Sequence, residues 1–299
     1  MFAPRHRLIG ALAALSILLG CGGENGEAGP SAPPSAGGFD AARAFADLRE
    51  QVELGPRPSG SVASGELTRG LAAKLRDAGV TDVVIQRPLR NVVGVLPGSE
   101  PGYVVLGAHH DTKSGIPGFV GANDGASGVA VALELARSLP RPLPGPSIAI
   151  ALFDGEEARG EREFADDGKR GSIQYLRLAE RGEQGAPPID EIRAMVLLDM
   201  VGDCDLRVSR EQLSDPALYA LFAAADPGTF AGRTFPIDDD HAPFLERRIP
   251  AVDLIDFDYG PGPSPGDFWH TDADTLDHVC PESLDAIGEA ALEALPKIR

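Results

Sequence analysis

The chain has 299 residues, 43% of them apolar, and a formal net charge of −18. This length exceeds the usual domain size, but a single α/β domain can reach it. The negative charge argues against nucleic acid or an anionic membrane surface as a partner, because both bind clustered lysine and arginine. No P-loop, G-x-G-x-x-G or G-x-S-x-G pattern occurs, so nucleotide binding and a serine-hydrolase elbow have no motif in their favour.

The N-terminus is typical of an exported protein. A basic start, MFAPRHR, precedes the apolar run LIGALAALSILLG, which is too short to span a bilayer comfortably. The run ends in LLGC (18–21), which resembles a bacterial lipoprotein cleavage box. We therefore expect residues 1–20 to be a signal peptide and Cys21 to carry the lipid. The alternatives are an ordinary secretory signal or a poor membrane anchor. Without two arginines of the signal, the net charge becomes 25 − 45 = −20.

Residues 21–38 are expected to form a flexible tether, since 22–38 contain Gly, Pro, Ser, Ala and Glu but no bulky apolar side chain. The chain is then an exported lipoprotein of the bacterial cell envelope, which touches the membrane only through its lipid anchor. Two further cysteines, Cys204 and Cys280, could form a disulfide or remain free thiols, and the sequence leaves both open.

Helix and strand patterns alternate from residue 39 onward. Apolar residues at three- and four-residue spacing predict amphipathic helices at 39–54 and 62–79, and 125–139 is typical of a buried helix. Short apolar runs predict strands at 82–86, 91–96, 103–108, 147–153, 194–198 and 251–255. Two further helices are predicted at 242–248 and 282–299. This alternation predicts a single domain over 39–299, with the α/β fold of a three-layer α/β/α sandwich and a mostly parallel mixed central sheet.

Polar residues interrupt these patterns near the ends of the elements. They are found in GAHHD (107–111), GAND (121–124), DGEE (154–157), DM (199–200) and WH (269–270). Taken alone, each segment is better explained as a turn, a helix cap or a solvated surface group. Most of them, however, follow the carboxyl ends of predicted strands, the edge where ligand crevices form. Crowded carboxylates need a cation, and carboxylates with imidazole suit zinc. The charged run 158–171 is expected to be a solvated loop.

Several motifs, in this order, resemble the zinc-dependent aminopeptidase-like metallopeptidase family. They are HHD, GANDGASGVAVALELARSL, LFDGEEA, LLDMVG, DDDHAPFLERRIPAVDLI and FWHT, and the resemblance covers roughly 39–297. Three features resemble its glutaminyl-peptide cyclotransferase branch. GSIQYL follows DGEEA, DDDH stands where the peptidases more often have Ser-Asp-His, and a tryptophan directly precedes the last histidine.

The resemblance implies a role for each matching position. It implies that Asp124, Glu157 and His270 are the zinc ligands. Glu156 would then be the proton shuttle, and Trp269 would form a wall of the substrate pocket.

Four further positions follow from the same resemblance. Asp199 and Asp239 would form a hydrogen-bonded carboxyl pair behind the shuttle. His109 stands at the position that, with Asp199 and a bridging aspartate, completes a second metal site in the aminopeptidases, although the cyclases keep this histidine too. Asp253 replaces a histidine that animal cyclases have near the active site.

The implied activity is conversion of an N-terminal glutamine of peptides into pyroglutamate, with release of ammonia and one zinc ion as cofactor. The expected partners are peptide or protein N-termini, whose positive charge suits an acidic chain, and the protein is expected to be a monomer. One alternative is a co-catalytic dizinc aminopeptidase of the same family. The other, an inactive surface-binding lipoprotein, is disfavoured by the intact ligand set.

Overall fold

The computed structural model describes residues 38–299. The predicted signal peptide, the predicted lipidation site Cys21 and the predicted tether up to residue 37 lie outside the described residues. The strands of the described part are β1 (Thr81–Ile85), β2 (Val92–Leu96), β3 (Gly98–His109), β4 (Leu143–Phe153), β5 (Ile192–Asp199), β6 (Ser209–Arg210) and β7 (Ala251–Ile255). They form one sheet in the order β1-β2-β4-β3-β5-β7-β6.

The centre of the sheet is parallel and its edges are antiparallel. β4, β3, β5 and β7 run parallel to one another, whereas β2 and β6 run opposite to their neighbours. Since β1 is antiparallel to β2, it points the same way as the four central strands. The predicted mostly parallel mixed sheet is therefore confirmed.

Helices cover both faces of this sheet. They are α1 (Ala41–Glu53), α2 (Val62–Asp77), α3 (Ser127–Ser138), α4 (Phe164–Asp167), α5 (Arg170–Ala179), α6 (Pro216–Ala225), α7 (Ala242–Glu246) and α8 (Pro281–Ala294). Apolar side chains of α1, α2, α3, α6 and α8 pack on one face, and those of α5 and α7 pack on the other. The layers follow from strand geometry: side chains alternate across the sheet, and Ile148 and Ile150 enter one core while Ala149 and Ala151 enter the other. The three-layer α/β/α sandwich is confirmed.

The structure adds elements that the sequence patterns did not predict. The segment 158–171 is not a solvated loop throughout, because α4 lies within it and Asp167 is buried where it accepts hydrogen bonds from Arg159. α5 and α6, of ten residues each, were also not predicted. No helix of residues 38–299 is both long and apolar enough to cross a membrane.

A disulfide joins Cys204 to Cys280, a pairing that the sequence had left open. Beside it, Asp203 and Val279 form an antiparallel bridge. The bond therefore ties the loop that follows β5 to the segment that precedes α8.

Candidate active site

His109 and Asp199 occupy the carboxyl ends of two neighbouring parallel strands. His109 is the last residue of β3 and Asp199 is the last residue of β5. Because these ends meet at one edge of the sheet, the His109 Nε2 atom lies 3.2 Å from Asp199 Oδ1. Both side chains are largely buried.

Asp124 reaches the same edge from the loop before α3. Its backbone N–H and that of Asn123 donate to the two carboxylate oxygens of Asp274, at 3.0 and 2.8 Å. The next residue, Gly125, has φ +97°, and a Cβ there would lie 2.5 Å from the Asp111 carbonyl oxygen. This glycine lets the loop pass close to the end of β3, which brings the Asp124 carboxylate over the sheet edge.

The DGEE segment follows β4 and supplies two more carboxylates. The backbone N–H of Glu156 donates to Asp111 Oδ1 at 3.1 Å, which fixes the turn. Glu156 and Glu157 are 7% and 3% exposed. Burial raises the pKa of the Glu156 carboxyl well above its usual value. A raised pKa of this kind is typical of carboxyl groups that act as general acids or bases.

His270 lies on the loop after β7 and has a positive φ of 51°. Its Nε2 atom is 3.0 Å from Glu157 Oε1 and 3.3 Å from Asp124 Oδ2. The Trp269 indole stacks on the imidazole, with ring centroids 3.9 Å apart. Phe119 packs edge-on against the same imidazole. The two aromatic rings thereby fix the orientation of the histidine.

Two potential metal sites result, and both include Asp124. One consists of Asp124, Glu157 and His270, and the other of His109, Asp124 and Asp199, with the ligand atoms of each set within 4.8 Å of one another. A tetrahedral ion with ligands at about 2.0–2.1 Å separates those ligands by about 3.3 Å. The separations of 3.0–3.3 Å between histidine nitrogens and carboxylate oxygens match this spacing. The residues present therefore fit a divalent cation at either place.

The electrostatics agree with this geometry. Burial lowers the pKa of His270, but Asp124 and Glu157 outweigh it and raise the pKa to about 10. Burial likewise opposes the ionised form of Asp124, yet His109 and His270 hold its pKa well below the usual range. Such a group of carboxylates retains a positive charge among them, which either a proton or a metal ion can supply.

A cavity of about 350 Å³ opens onto this edge. Apolar side chains form its walls, among them Phe164, Ile237, Phe257 and Trp269, whereas Glu156 and the Asp124–Glu157–His270 set provide polar groups. Among the residues that the structure describes, His109 does not line this cavity. The volume lies at the small end of the range of about 300–1,000 Å³ for ligand pockets. The lining is unusually rich in charged and titratable side chains, which supply eight of its fifteen residues.

Comparison with known proteins identifies the family. The model of peptidase family M28 matches residues 91–295. The chain belongs to peptidase family M28. The resemblance found in the motifs is thus confirmed, and M28 membership together with the zinc exopeptidase described next supports zinc as the metal.

Individual M28 relatives include both cyclases and peptidases. The glutaminyl-peptide cyclotransferase of Drosophila melanogaster is 31% identical over 232 residues, which cover 66% of this chain and 62% of that protein. The chain thus spans less than two thirds of that relative's length. The crystal structure of an Acidobacteriales bacterium glutaminyl cyclase has 29% identity and a TM-score of 0.76, covering 90% of this chain and 98% of that one. A Zn-dependent exopeptidase from Parabacteroides distasonis has 27% identity and a TM-score of 0.73, covering 88% and 99%.

The predicted pair of Asp199 and Asp239 stays a prediction. Both side chains line the cavity of this M28 site. The Asp199 carboxylate also lies 3.2 Å from His109 Nε2. Asp239 accepts the backbone N–H of Asp240. Burial raises the pKa of Asp239 well above its usual value, and the charge of Asp199 adds to this.

Asp253 does not line the cavity. It is fully buried in β7, where one carboxylate oxygen lies 3.8 Å from His241 Nδ1. His241 Nε2 in turn lies 3.0 Å from Glu211 Oε2. The aspartate at position 253, which stands in place of a histidine, therefore belongs to a buried polar cluster of this M28 protein and not to the cavity wall.

Sequence reasoning did not identify the residues that support the ligands. Asp274 holds the Asp124 loop and also accepts the Tyr259 hydroxyl at 2.8 Å. Arg57 is completely buried and donates to the carbonyl groups of His110, Val120 and Gly121. Burial lowers the pKa of Arg57 to about 10. The signal for Asp274 was present in the motif FWHTDAD, but that for Arg57 was not, since its partners are backbone atoms.

Proposed function

We propose that this chain is a zinc-dependent glutaminyl-peptide cyclotransferase, which acts as a monomer on peptide or protein N-termini. The observation that carries the proposal is the indole of Trp269, which is stacked on His270 and lines the cavity beside Glu156. A flat, fixed aromatic wall next to a metal-ligand set and a carboxyl suits a small substrate that must be folded back on itself. The similarity to cyclases from flies and bacteria supports the same proposal.

In this proposal Glu156 carries the proton. Zinc held by Asp124, Glu157 and His270 would polarise the γ-carbonyl of the glutamine and stabilise negative charge on its oxygen. Glu156 accepts a proton from the α-ammonium group, and the freed amine attacks the γ-carbon to form the C–N bond of the ring. Glu156 returns this proton to the side-chain nitrogen, whose bond to the γ-carbon breaks and which leaves as ammonia. The Glu156 carboxylate then takes the second proton from the ring nitrogen and releases it to solvent, so that a neutral lactam remains.

A second candidate is a co-catalytic dizinc aminopeptidase. The observation in its favour is the set of His109, Asp124 and Asp199, whose spacing equals that of the first set. The P. distasonis exopeptidase has the same fold at similar overall likeness. In this alternative Glu156 would activate a water molecule instead of a substrate amine.

Substrate and metal count together distinguish the two. We expect one zinc per chain, and ammonia plus a pyroglutamyl product from peptides that begin with glutamine. Peptides that begin with leucine or alanine should release no free amino acid. Two tightly bound zinc ions together with released leucine would establish the aminopeptidase and reject the cyclase.

We also propose that the enzyme is exported as a lipoprotein of a bacterial cell envelope. LLGC at the end of an apolar run supports Cys21 as the lipidated residue. Cys21→Ser should move the protein from the membrane fraction to the soluble fraction. If the variant stays membrane-bound to the same extent, this proposal is wrong.

A further inference from the structure

A groove lined by arginines lies on the α5 side of the sheet. Its volume is about 610 Å³. Its basic residues are Arg87, Arg159, Arg170, Arg177 and Arg181, and Asp166 is the one acidic residue among the described residues that line it. We call it the arginine groove. Such a concentration of positive charge contrasts with the net charge of −18 of the whole chain.

Three of these arginines have no carboxylate partner within residues 38–299. Arg159 is paired with Asp167, and Arg181 with the exposed Glu183. The ion pairs of the described residues include none for Arg87, Arg170 or Arg177. The exposed guanidinium groups of Arg87 and Arg177 are therefore available to an anion from outside, whereas Arg170 is half-buried and already donates to a backbone carbonyl group.

The chemistry of the groove suits carboxylates on a peptide. Arginine binds carboxylates through two parallel N–H donors, which gives it more geometric selectivity than lysine has. Pro88, Leu89 and Ile173 provide apolar surface between the arginines. Gln174 exchanges two hydrogen bonds with the backbone of Leu89, both 2.9 Å long, so the floor of the groove is fixed.

The groove and the active-site cavity share one wall. Phe164 in α4 lines the cavity, whereas the adjacent Ala165 and Asp166 line the groove. On the groove side, Arg170 Nη2 donates to the carbonyl oxygen of the zinc-ligand candidate Glu157 at 2.8 Å. A helix with its side chains is about 10 Å across, and an extended chain covers about 3.4 Å per residue. A peptide whose first residue is in the cavity therefore crosses this wall within about three residues.

We propose that the arginine groove binds acidic side chains of the substrate at about positions 4 to 6, counted from its N-terminal glutamine. This rests on the proposed cyclase function and deepens it, because it assigns a preference for peptides with an acidic segment downstream. The charge pattern divides the substrate accordingly. Its ammonium end meets the carboxylates of the cavity, and its acidic segment meets the arginine groove.

The test compares two peptides on the full chain with zinc. One is Gln-Ala-Ala-Glu-Glu-Glu and the other is Gln-Ala-Ala-Gln-Gln-Gln, both amidated at the C-terminus. We expect the acidic peptide to have a KM lower by about three- to tenfold at low salt, with kcat unchanged, since exposed ion pairs each contribute modestly. The difference should shrink as salt is raised.

Two variants locate the effect. Arg87→Glu combined with Arg177→Glu should abolish the preference or reverse it, while the neutral peptide keeps its wild-type KM. Both side chains are exposed and form no ion pair with another residue of 38–299, so folding should be preserved. The control is Arg69→Glu, an exposed arginine on α2, which packs on the other face of the sheet. It carries the same change of charge per site and should leave the preference intact.

A second measurement is independent of turnover. An N-acetylated, fluorescently labelled Ala-Ala-Ala-Glu-Glu-Glu peptide cannot be cyclised, and its binding by anisotropy should weaken in the double variant. Equal KM values for the two peptides, or equal loss of preference in Arg69→Glu, would overturn the proposal. So would arginine-dependent binding of inorganic phosphate or of phosphatidylglycerol vesicles without binding of the acidic peptide. Failure to cyclise either glutamine peptide would instead reject the proposed function.

Discussion

The two potential metal sites share Asp124 but differ in their access to the cavity. At the first, the His270 side chain is 20% exposed, lies at the cavity and is stacked on Trp269. At the second, the His109 side chain is 2% exposed and is not among the described residues that line the cavity. Nearly identical ligand spacing therefore occurs in two different surroundings.

This difference bears on which site performs chemistry. A catalytic metal needs an open position for substrate, whereas a structural ion is enclosed by protein ligands. All three ligands of the His270 site line the cavity, whereas at the His109 site Asp124 and Asp199 line it and His109 does not, so the first site meets that requirement more fully. His109 also has acidic neighbours on its other side, since its Nδ1 atom is 3.7 Å from Asp111 Oδ1 and 3.9 Å from Glu156 Oε2. Although burial opposes it, the surrounding aspartates raise the pKa of His109 well above its usual value.

The largest effect should come from removing one histidine at a time. His270→Ala removes a ligand of the open site. Loss of a residue that only supports a ligand lowers metal affinity by about 10–100-fold, so zinc affinity should fall further than this in His270→Ala, and turnover should fall to background. His109→Ala is the matched change at the enclosed site and should leave one zinc per chain. Metal content by mass spectrometry and ammonia release measure both. If the wild type holds two zinc ions and His109→Ala loses one of them, the comparison is wrong.

A second large effect concerns the proton carrier at the open site. Glu156→Gln keeps the size of the side chain but cannot transfer a proton, so turnover should fall by at least ~100-fold. Zinc content should remain near that of the wild type, because Glu157 supplies the ligand oxygen and Glu156 does not. Loss of zinc in this variant would exchange the two roles, and nearly unchanged turnover would reject the shuttle.

The sequence predicts the metal-ligand sets better than it predicts the residues that support them. The ligand sets and the sheet that carries them were predictable, because each ligand stands in or just after a motif at the end of an element. The grouping of His109 with Asp199, 90 residues apart along the chain, followed only from the resemblance, because no local pattern gives the side-chain directions of two separate strands. The role of Arg57 was hidden, because it acts on backbone carbonyl groups, which leave no trace in sequence patterns. Asp274 stands in the motif that carries His270, but its backbone partners could not be predicted from that motif.

A moderate effect should follow from the residue that holds the shared ligand. Asp274→Ala leaves the backbone N–H groups of Asn123 and Asp124 without acceptors, at a cost of about 1–3 kcal/mol for each one left unsatisfied. Zinc affinity should fall by about 10–100-fold. Tyr259→Phe removes one bond to Asp274 and should have a smaller effect. A zinc affinity of Asp274→Ala equal to that of the wild type would show that the Asp124 loop is held by other contacts.

The smallest effect on the site should come from the disulfide, although it joins the segments that follow Asp199 and His270. Cys204 follows the strand that ends at Asp199, and Cys280 follows the loop that carries His270. These two segments are nevertheless held separately. Asp199 is held by the pairing of β5 with its neighbouring strands, and the loop that carries His270 is held through Asp274. The bond closes a segment with a sequence separation of 76, so Cys204→Ser with Cys280→Ser should lower the free energy of unfolding by about 2–4 kcal/mol, chiefly through the unfolded chain. Denaturant unfolding measures this loss of stability. Zinc affinity should stay within about threefold of the wild type, a much smaller change than follows from mutating a residue that supports a metal ligand. A larger loss of zinc affinity would mean that the disulfide helps to hold the segments of Asp199 and His270 in place.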